Sequence, residues 1–261
     1  MDISVILNAH HEGLLANPSC GSLELAKAAA EKEGISVEVL VVLDRANAET
    51  VEFFQNRVPS DWALIPVGYG DLGHSRNEGV RRARGRWISF LDADDLFSNN
   101  WLAAAFVAAE NDKRSIAWHP EYDVLFGREE HLIKNMDMDK DHLNLELLLE
   151  RNLWSALCFA RREFLLACPY AETQHVQQIG YEDWSWNMAA LGMGAIHKTV
   201  PDACHFIRLK EFGSLNLVTD AANCIPWPSD YLKKILVERQ KAVAAAGEES
   251  ALTPGLIDQH R

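Results

Sequence analysis

Three short apolar runs, each closed by one polar side chain, constrain the fold more than any other feature. Ile3 to Leu7 ends in Asn8, Val37 to Leu43 ends in Asp44, and Trp87 to Leu91 ends in Asp92. Short runs with almost no polar alternation belong to strands buried on both faces. Ala63 to Val67 is a further strand of this kind. Segments of helical composition separate the runs. Ser22 to Glu33 is stopped by Gly34, and Asn47 caps a helix through Val51, Phe53 and Phe54. A third helix is expected from Ser75 to Arg84, because Ser75 and Glu78 have capping-box spacing and Gly85 sits at a stop position. Alternating strands and helices imply right-handed crossovers, an α/β fold and a mostly parallel sheet flanked by helices. Such sheets bind ligands beyond the carboxyl ends of their strands, where Asn8, Asp44 and Asp92 all fall.

The second half is less regular. A helix is expected over Trp101 to Glu110, sheet over Ser115 to Phe126, a short helix over Leu143 to Leu149 and a strand over Ala156 to Ala160. Trp184 to Leu191 reads as a helix ended by Gly192 and Gly194. One catalytic domain over 1–228 is expected, with 1–110 as its nucleotide-binding half and 111–228 as its acceptor half. Residues 229–261 would form a last helix, Ser229 to Ala246, and a mobile tail.

Charge narrows the partners. The chain of 261 residues carries a net charge of −13, which repels nucleic-acid phosphates. A nucleotide diphosphate would therefore need local cations or a metal. The five cysteines form no C-x-x-C pair, which fits a reducing, cytoplasmic setting. Neither a signal peptide nor a run long enough to span a membrane is evident. A homo-oligomer stays open.

Three segments carry candidate chemistry. Asp92, Asp94 and Asp95 follow a buried strand directly, and burying them unpaired would cost several kcal/mol per charge. Carboxylate oxygens suit Mg²⁺ or Mn²⁺, which would bridge to a diphosphate; a solvated turn is the plain alternative. Glu182 and Asp183 open an aromatic helix, where one carboxylate could serve as general base; an acidic helix start favoured by the dipole is the plain alternative. Arg76 and Asn77 lie behind the glycine turn Gly68 to Gly73, where a guanidinium and backbone N–H groups could hold phosphate.

The order of these segments resembles glycosyltransferase family 2. The resemblance runs over about residues 1 to 217: Asn8-Ala9-His10-His11-Glu12, Val41 to Asp44, Gly73 to Asn77, Asp92 to Asp95, Glu182-Asp183-Trp184, and Phe206-Ile207-Arg208 with Gly213-Ser214-Leu215. It implies a GT-A-like fold and an inverting, metal-dependent transfer of sugar from a nucleoside-diphosphate donor. The acceptor would be the hydroxyl of a glycan, a lipid-linked molecule or a protein, in polysaccharide or glycoconjugate assembly. By the same resemblance Asp183 is the general base, with Glu182 shaping the site. Asn8, Glu12, Asp44, Arg76, Asn77, Asp92, Asp94 and Arg208 would line the nucleotide-sugar site. Asp94, Asp95 and His205 would ligate the metal. Arg45 stands where the family places a second acid against uracil, which counts against UDP as donor.

Two other readings compete. Gly68-x-Gly70-x-x-Gly73, with Asp92 about twenty residues on, fits a dinucleotide fingerprint and an NAD-dependent oxidoreductase. That fingerprint normally belongs to the first strand-helix turn, and it leaves Asp94, Asp95, Glu182 and Asp183 unused. A non-catalytic glycan-binding scaffold would bind sugars and release no nucleoside diphosphate. A sugar nucleotidyltransferase would need a glycine-rich basic loop after the first strand, which Asn8 to Gly13 does not supply.

Overall fold

A computed structural model describes residues 1–142, 144–211, 213–227, 229–231, 233, 235–237 and 241. The expected C-terminal helix and tail lie largely outside the described residues. In chain order the elements are β1 (Ile3–Ala9), α1 (Ala16–Lys32), β2 (Val37–Asp44), α2 (Ala48–Arg57), β3 (Ala63–Val67), α3 (Leu72–Arg82), β4 (Trp87–Asp92) and β5 (Leu96–Phe97). Then follow α4 (Trp101–Asn111), β6 (Ile116–Gly127), β7 (His131–Lys134), β8 (Phe159–Arg161), α5 (Arg162–Ala167), β9 (Ile179–Gly180), α6 (Glu182–Gly192), β10 (Ile196–Leu209), α7 (Leu215–Ala221) and β11 (Ile225–Pro226).

The principal sheet has the order β3-β2-β1-β4-β8-β6-β10-β5, with β7 paired to β6. β3, β2, β1 and β4 are parallel, as are β6 and β10; β8 and β5 run antiparallel to their neighbours. The strand order reverses at β1, which lies between β2 and β4. A crevice forms at such a reversal, outside the carboxyl ends of the strands. Asn8 of β1 pairs in register with Asp92 of β4 there.

Strand alternation divides the core between the two faces of the sheet. Ile3, Val5 and Leu7 of β1 pack with α1 and α4 residues such as Leu23 and Trp101. Ile6 packs on the opposite face with Val80, Phe90, Tyr170 and Trp186. β1 is buried along its whole length, which explains its unbroken apolar run. By the same parity Asn8, Asp44 and Asp92 all project toward α3. This helix approaches closely at Gly79, where a Cβ would stand 2.5 Å from Ile6 Cγ2.

Four boundaries differ from the sequence expectation. α1 starts at Ala16 rather than Ser22, because Pro18 lies in the first turn, where no backbone donor is needed. α3 starts at Leu72, and its cap is Asp71, which accepts from His74 N at 2.7 Å. Ser75 therefore caps nothing; its hydroxyl donates to Asp44 instead. Gly85 stops no helix either: α3 ends at Arg82, and a Cβ at Gly85 would stand 2.4 Å from the Ser4 backbone nitrogen. The strand expected over Ala156 to Ala160 is shifted to β8, and β7 was not anticipated. Among the described residues no helix is long and apolar enough to cross a membrane.

Candidate active site

The glycine turn before α3 is organised by Asp44. Its carboxylate accepts from Gly70 N at 2.8 Å, Asp71 N at 3.0 Å and Ser75 Oγ at 2.8 Å. Asp71 then caps α3 and accepts from Thr173 N at 2.8 Å. The N–H groups that a dinucleotide fingerprint would aim at a pyrophosphate are thus engaged by two carboxylates of the chain. Asp44 was expected to line the nucleotide site, and the structure has it bracing this turn. Arg45 has a left-handed φ of 47° and donates from Nε to Gly68 O at 3.2 Å, which lays its guanidinium over Gly70.

Arg76 and Asn77 are expected to line the nucleotide-sugar site; in the structure most of their hydrogen-bonding groups are engaged within the chain, with Arg76 Nε left without a partner. Arg76 is 1% exposed. Its Nη1 donates to Glu182 Oε1 at 2.6 Å, and its Nη2 reaches both Asp92 oxygens at 3.1 and 3.2 Å. The guanidinium also lies 5.4 Å from the Tyr170 ring centroid. A buried cation requires such pairing, so Arg76 ties the end of β4 to the start of α6. Asn77 spends its amide on the backbone of Tyr170, donating to O and accepting from N, both at 2.9 Å. These two are clasps between elements.

Asn8 contrasts with them. It is 5% exposed, and neither its Oδ1 nor its Nδ2 has a partner. It stands between Val42 on β2 and Asp92 on β4, on the face toward α3. A buried amide without partners costs about 1–3 kcal/mol, so a ligand supplying a donor and an acceptor there gains what the fold forgoes.

Asp183 is half-buried in the first turn of α6, with Asn152 Nδ2 donating to it at 3.0 Å. Asn152 is held in turn by Asn187, which donates to its Oδ1 at 2.9 Å. Burial pushes the Asp183 carboxyl up to about 7, and the adjacent Glu182 charge adds to this while Arg76 opposes it. That value suits a group that must take up a proton near neutrality. Tyr181 precedes the pair at a φ of 55°, and its hydroxyl bonds Asp220. Asn152 and Asn187 carried no sequence signal, because an isolated asparagine does not reveal its partner.

The remaining acidic cluster is distributed rather than convergent. Asp95 is buried and accepts from His205 Nε2 at 3.1 Å and from Arg208 N at 2.8 Å. Asp94 pairs with Lys210 Nζ at 2.6 Å. The expected metal ligands Asp94, Asp95 and His205 therefore do not meet at one point. Among the described residues, no three His, Cys, Asp or Glu side chains could together hold a metal ion. Asp95 and His205 of β10 do meet, while the Asp94 carboxylate turns to Lys210. Arg208 rests over the Phe126 ring at 4.7 Å and donates from Nε to Asp94 O at 3.2 Å. Glu12 accepts from His10 N at 2.6 Å; burial pushes its carboxyl up, and the nearby Asp94 charge adds to this while Lys210 opposes it. Lys210 was not anticipated, although it follows Arg208 by two residues in the motif that drew attention to Arg208.

Comparison with known proteins identifies the fold and the family. TarS of S. aureus, solved with UDP-GlcNAc, superposes with a TM-score of 0.59 at 18% identity, over 82% of this chain and 60% of that one. The mannosyltransferase PcManGT from Pyrobaculum calidifontis, solved with GDP-Man and Mn²⁺, gives 0.56 at 18% identity, over 81% and 58%. These likenesses establish the GT-A architecture. The succinoglycan biosynthesis protein ExoO of Rhizobium meliloti (strain 1021) is 28% identical over 204 residues, which is 74% of this chain. The chain spans 58% of the length of that relative. Residues 22–167, more than half of the chain, match the family model for Glycosyl transferase family 2. With the strand-end acids, the α3 clasps and the Glu182-Asp183 pair assembled around one crevice of a GT-A sheet, the chain belongs to glycosyl transferase family 2.

Proposed function

We propose that the chain transfers one sugar from a nucleoside-diphosphate sugar to an acceptor hydroxyl, by a single in-line displacement with inversion. The observation that carries this reading is Asp183, with its carboxyl pushed up to about 7, at the start of a helix tied to the strand-end crevice. The acceptor hydroxyl gives its proton to Asp183 while its oxygen attacks the anomeric carbon. Asn152 orients the carboxylate, and Glu182 is held away from the reaction by Arg76. Asn8 contributes an unpaired amide to the donor side. Holding both reactants in line supplies much of the acceleration. The donor side belongs to 1–110 and the acceptor side to 111–228, the two sharing one sheet. Polysaccharide or glycoconjugate assembly is the setting that the likeness to ExoO supports. A divalent cation follows from the family resemblance, yet the described side chains gather no site for one, and no step is derived through it.

The test is release of nucleoside diphosphate from a panel of nucleotide sugars, with simple glycans as acceptors. Acceptor-dependent release that disappears in Asp183→Asn is expected. Release that persists unchanged in this variant would remove Asp183 from the mechanism. Tight NADH binding with no response to nucleotide sugars would favour the oxidoreductase reading.

A further inference from the structure

We propose that Lys210 and Arg208, and not a bound divalent cation, hold the leaving diphosphate, so that sugar transfer by this chain needs no metal. The inference rests on the donor class proposed above. Each strand-end carboxylate already has a side-chain partner: Asp92 shares Arg76 with Glu182 and meets it at 3.1 Å, Asp95 bonds His205 at 3.1 Å, and Asp94 pairs with Lys210 at 2.6 Å. Part of the repulsion among these acids is thereby met from within the chain. Mg²⁺ requires near-octahedral oxygen coordination and Ca²⁺ more ligands still. An ion at Asp94 would have to displace an ammonium already seated on that carboxylate, with no second side-chain ligand converging there among the described residues.

Two of the chain's own cations, Arg208 and the Asp94-bound Lys210, are well placed for an anion. Arg208 is the last residue but one of β10 and Lys210 lies just beyond the strand, and both side chains reach Asp94. The Arg208 backbone is pinned by Asp95, its Nε by Asp94 O and its plane by Phe126. Among the described residues its guanidinium makes no ion pair, although the protein carries a net charge of −13. A guanidinium held at Asp94 O and over Phe126 without an ion pair is a docking point for a phosphate. The Lys210 ammonium has three donors, so it can keep Asp94 and still bond a phosphate oxygen.

In the transfer step the acceptor oxygen forms its bond to the anomeric carbon, and the bond from that carbon to the diphosphate oxygen breaks. The electron pair of that bond leaves on the diphosphate, and the acceptor proton goes to Asp183. Lys210 and Arg208 meet the charge that develops on the departing oxygen. Preorganised cations of this kind act without any ion being recruited.

The test is calorimetric titration of the full chain with UDP, GDP and dTDP, once in EDTA and once in Mn²⁺. At least one diphosphate is expected to bind in EDTA, with affinity within about threefold of that in Mn²⁺, because less than about 1 kcal/mol separates the two states. Lys210→Met is expected to weaken that binding in EDTA by at least about tenfold, the value of one charge-assisted hydrogen bond. Lys210→Arg should retain most of it. Circular dichroism checks folding, and Arg208→Gln provides the same comparison if Lys210→Met does not fold. Binding seen only with Mn²⁺ overturns the inference and leaves the proposed donor class standing. Unchanged binding by the Lys210→Met protein in EDTA also overturns it. Absence of binding to all three diphosphates in both buffers overturns the donor class, and this inference with it.

Discussion

Arg76 and Glu182 lie 106 residues apart in the sequence, and their side chains meet at 2.6 Å, fully enclosed between α3 and α6. Together with Asp92 they form a buried cation between two carboxylates. Removing one member of such a set strands the others without a counter-charge. Arg76→Met is expected to lower unfolding free energy by about 3–5 kcal/mol, read from urea denaturation. Replacing the set by Arg76→Met, Glu182→Leu and Asp92→Leu should recover most of that loss, since apolar groups of similar volume often substitute without penalty.

Asp183→Asn separates chemistry from stability. As the proposed general base, Asp183 is expected to support a rate about 10²- to 10⁴-fold above that of the variant. Diphosphate affinity should hardly change, because the carboxylate faces the acceptor. Loss of binding in step with turnover would assign Asp183 to the donor instead.

The same residue predicts two pH profiles. Its pKa rises from 3.8 to about 7 in the folded state, chiefly because burial disfavours the charge. Between those values the folded chain holds a proton that the unfolded chain has released. Its contribution to stability is therefore greatest below pH 3.8, falls as pH rises toward 7 and is flat above that. Activity runs the other way, rising with pH through about 7 as the base ionises. Denaturation curves of wild type and Asp183→Asn at several pH values should converge in acid and separate above neutrality, with the variant the more stable.

Asn8→Leu exchanges an unpartnered buried amide for an apolar side chain of similar size. The ligand-free protein is expected to gain about 1–3 kcal/mol, because an unmet desolvation cost disappears. The melting shift on adding nucleoside diphosphate or nucleotide sugar should shrink. A variant that is less stable and binds as before would show that Asn8 has a structural partner.

Asp44→Ala frees the N–H groups of Gly70 and Asp71 and the Ser75 hydroxyl at once. Hydrogen bonds to a charged group are worth about 1.5–3 kcal/mol each; the part-buried Gly70 and Asp71 N–H groups regain water and the buried Ser75 hydroxyl keeps Asp71 O, so a net loss of about 3 kcal/mol is expected. Amide exchange should quicken first in the turn before α3.

What was legible in the sequence was what local pattern controls. β1, β2 and β4 stood out because both faces of each strand are buried, and their closing residues marked the crevice through Asn8, Asp44 and Asp92. Glu182 and Asp183 stood out as adjacent acids before an aromatic helix. Partner choice was not legible. Arg76 has the same composition whether it meets a phosphate or two carboxylates, and only the packing of α6 against α3 decides. Asp71 displaced Ser75 as the helix cap because the Asp44 carboxylate captured the serine hydroxyl. Lys210 was passed over because one lysine after a strand is ordinary until Asp94 is found beneath it.

The backbone clasp of Asn77 on Tyr170 has a consequence for how this region opens. It closes a chain segment of 93 residues, an entropic cost of about 4 kcal/mol by the logarithmic scaling of loop closure. Asp71 with Thr173 and Arg76 with Glu182 join the same two stretches of chain. Once the first clasp is shut, the other two close short residual loops and keep nearly all of their bond energy. Opening should be equally collective: a fluctuation that releases one clasp alone gains little freedom, and release of all three frees the acceptor side together. Donor crevice and catalytic base should therefore appear as a single exchange unit, with no intermediate in which one is ordered and the other loose.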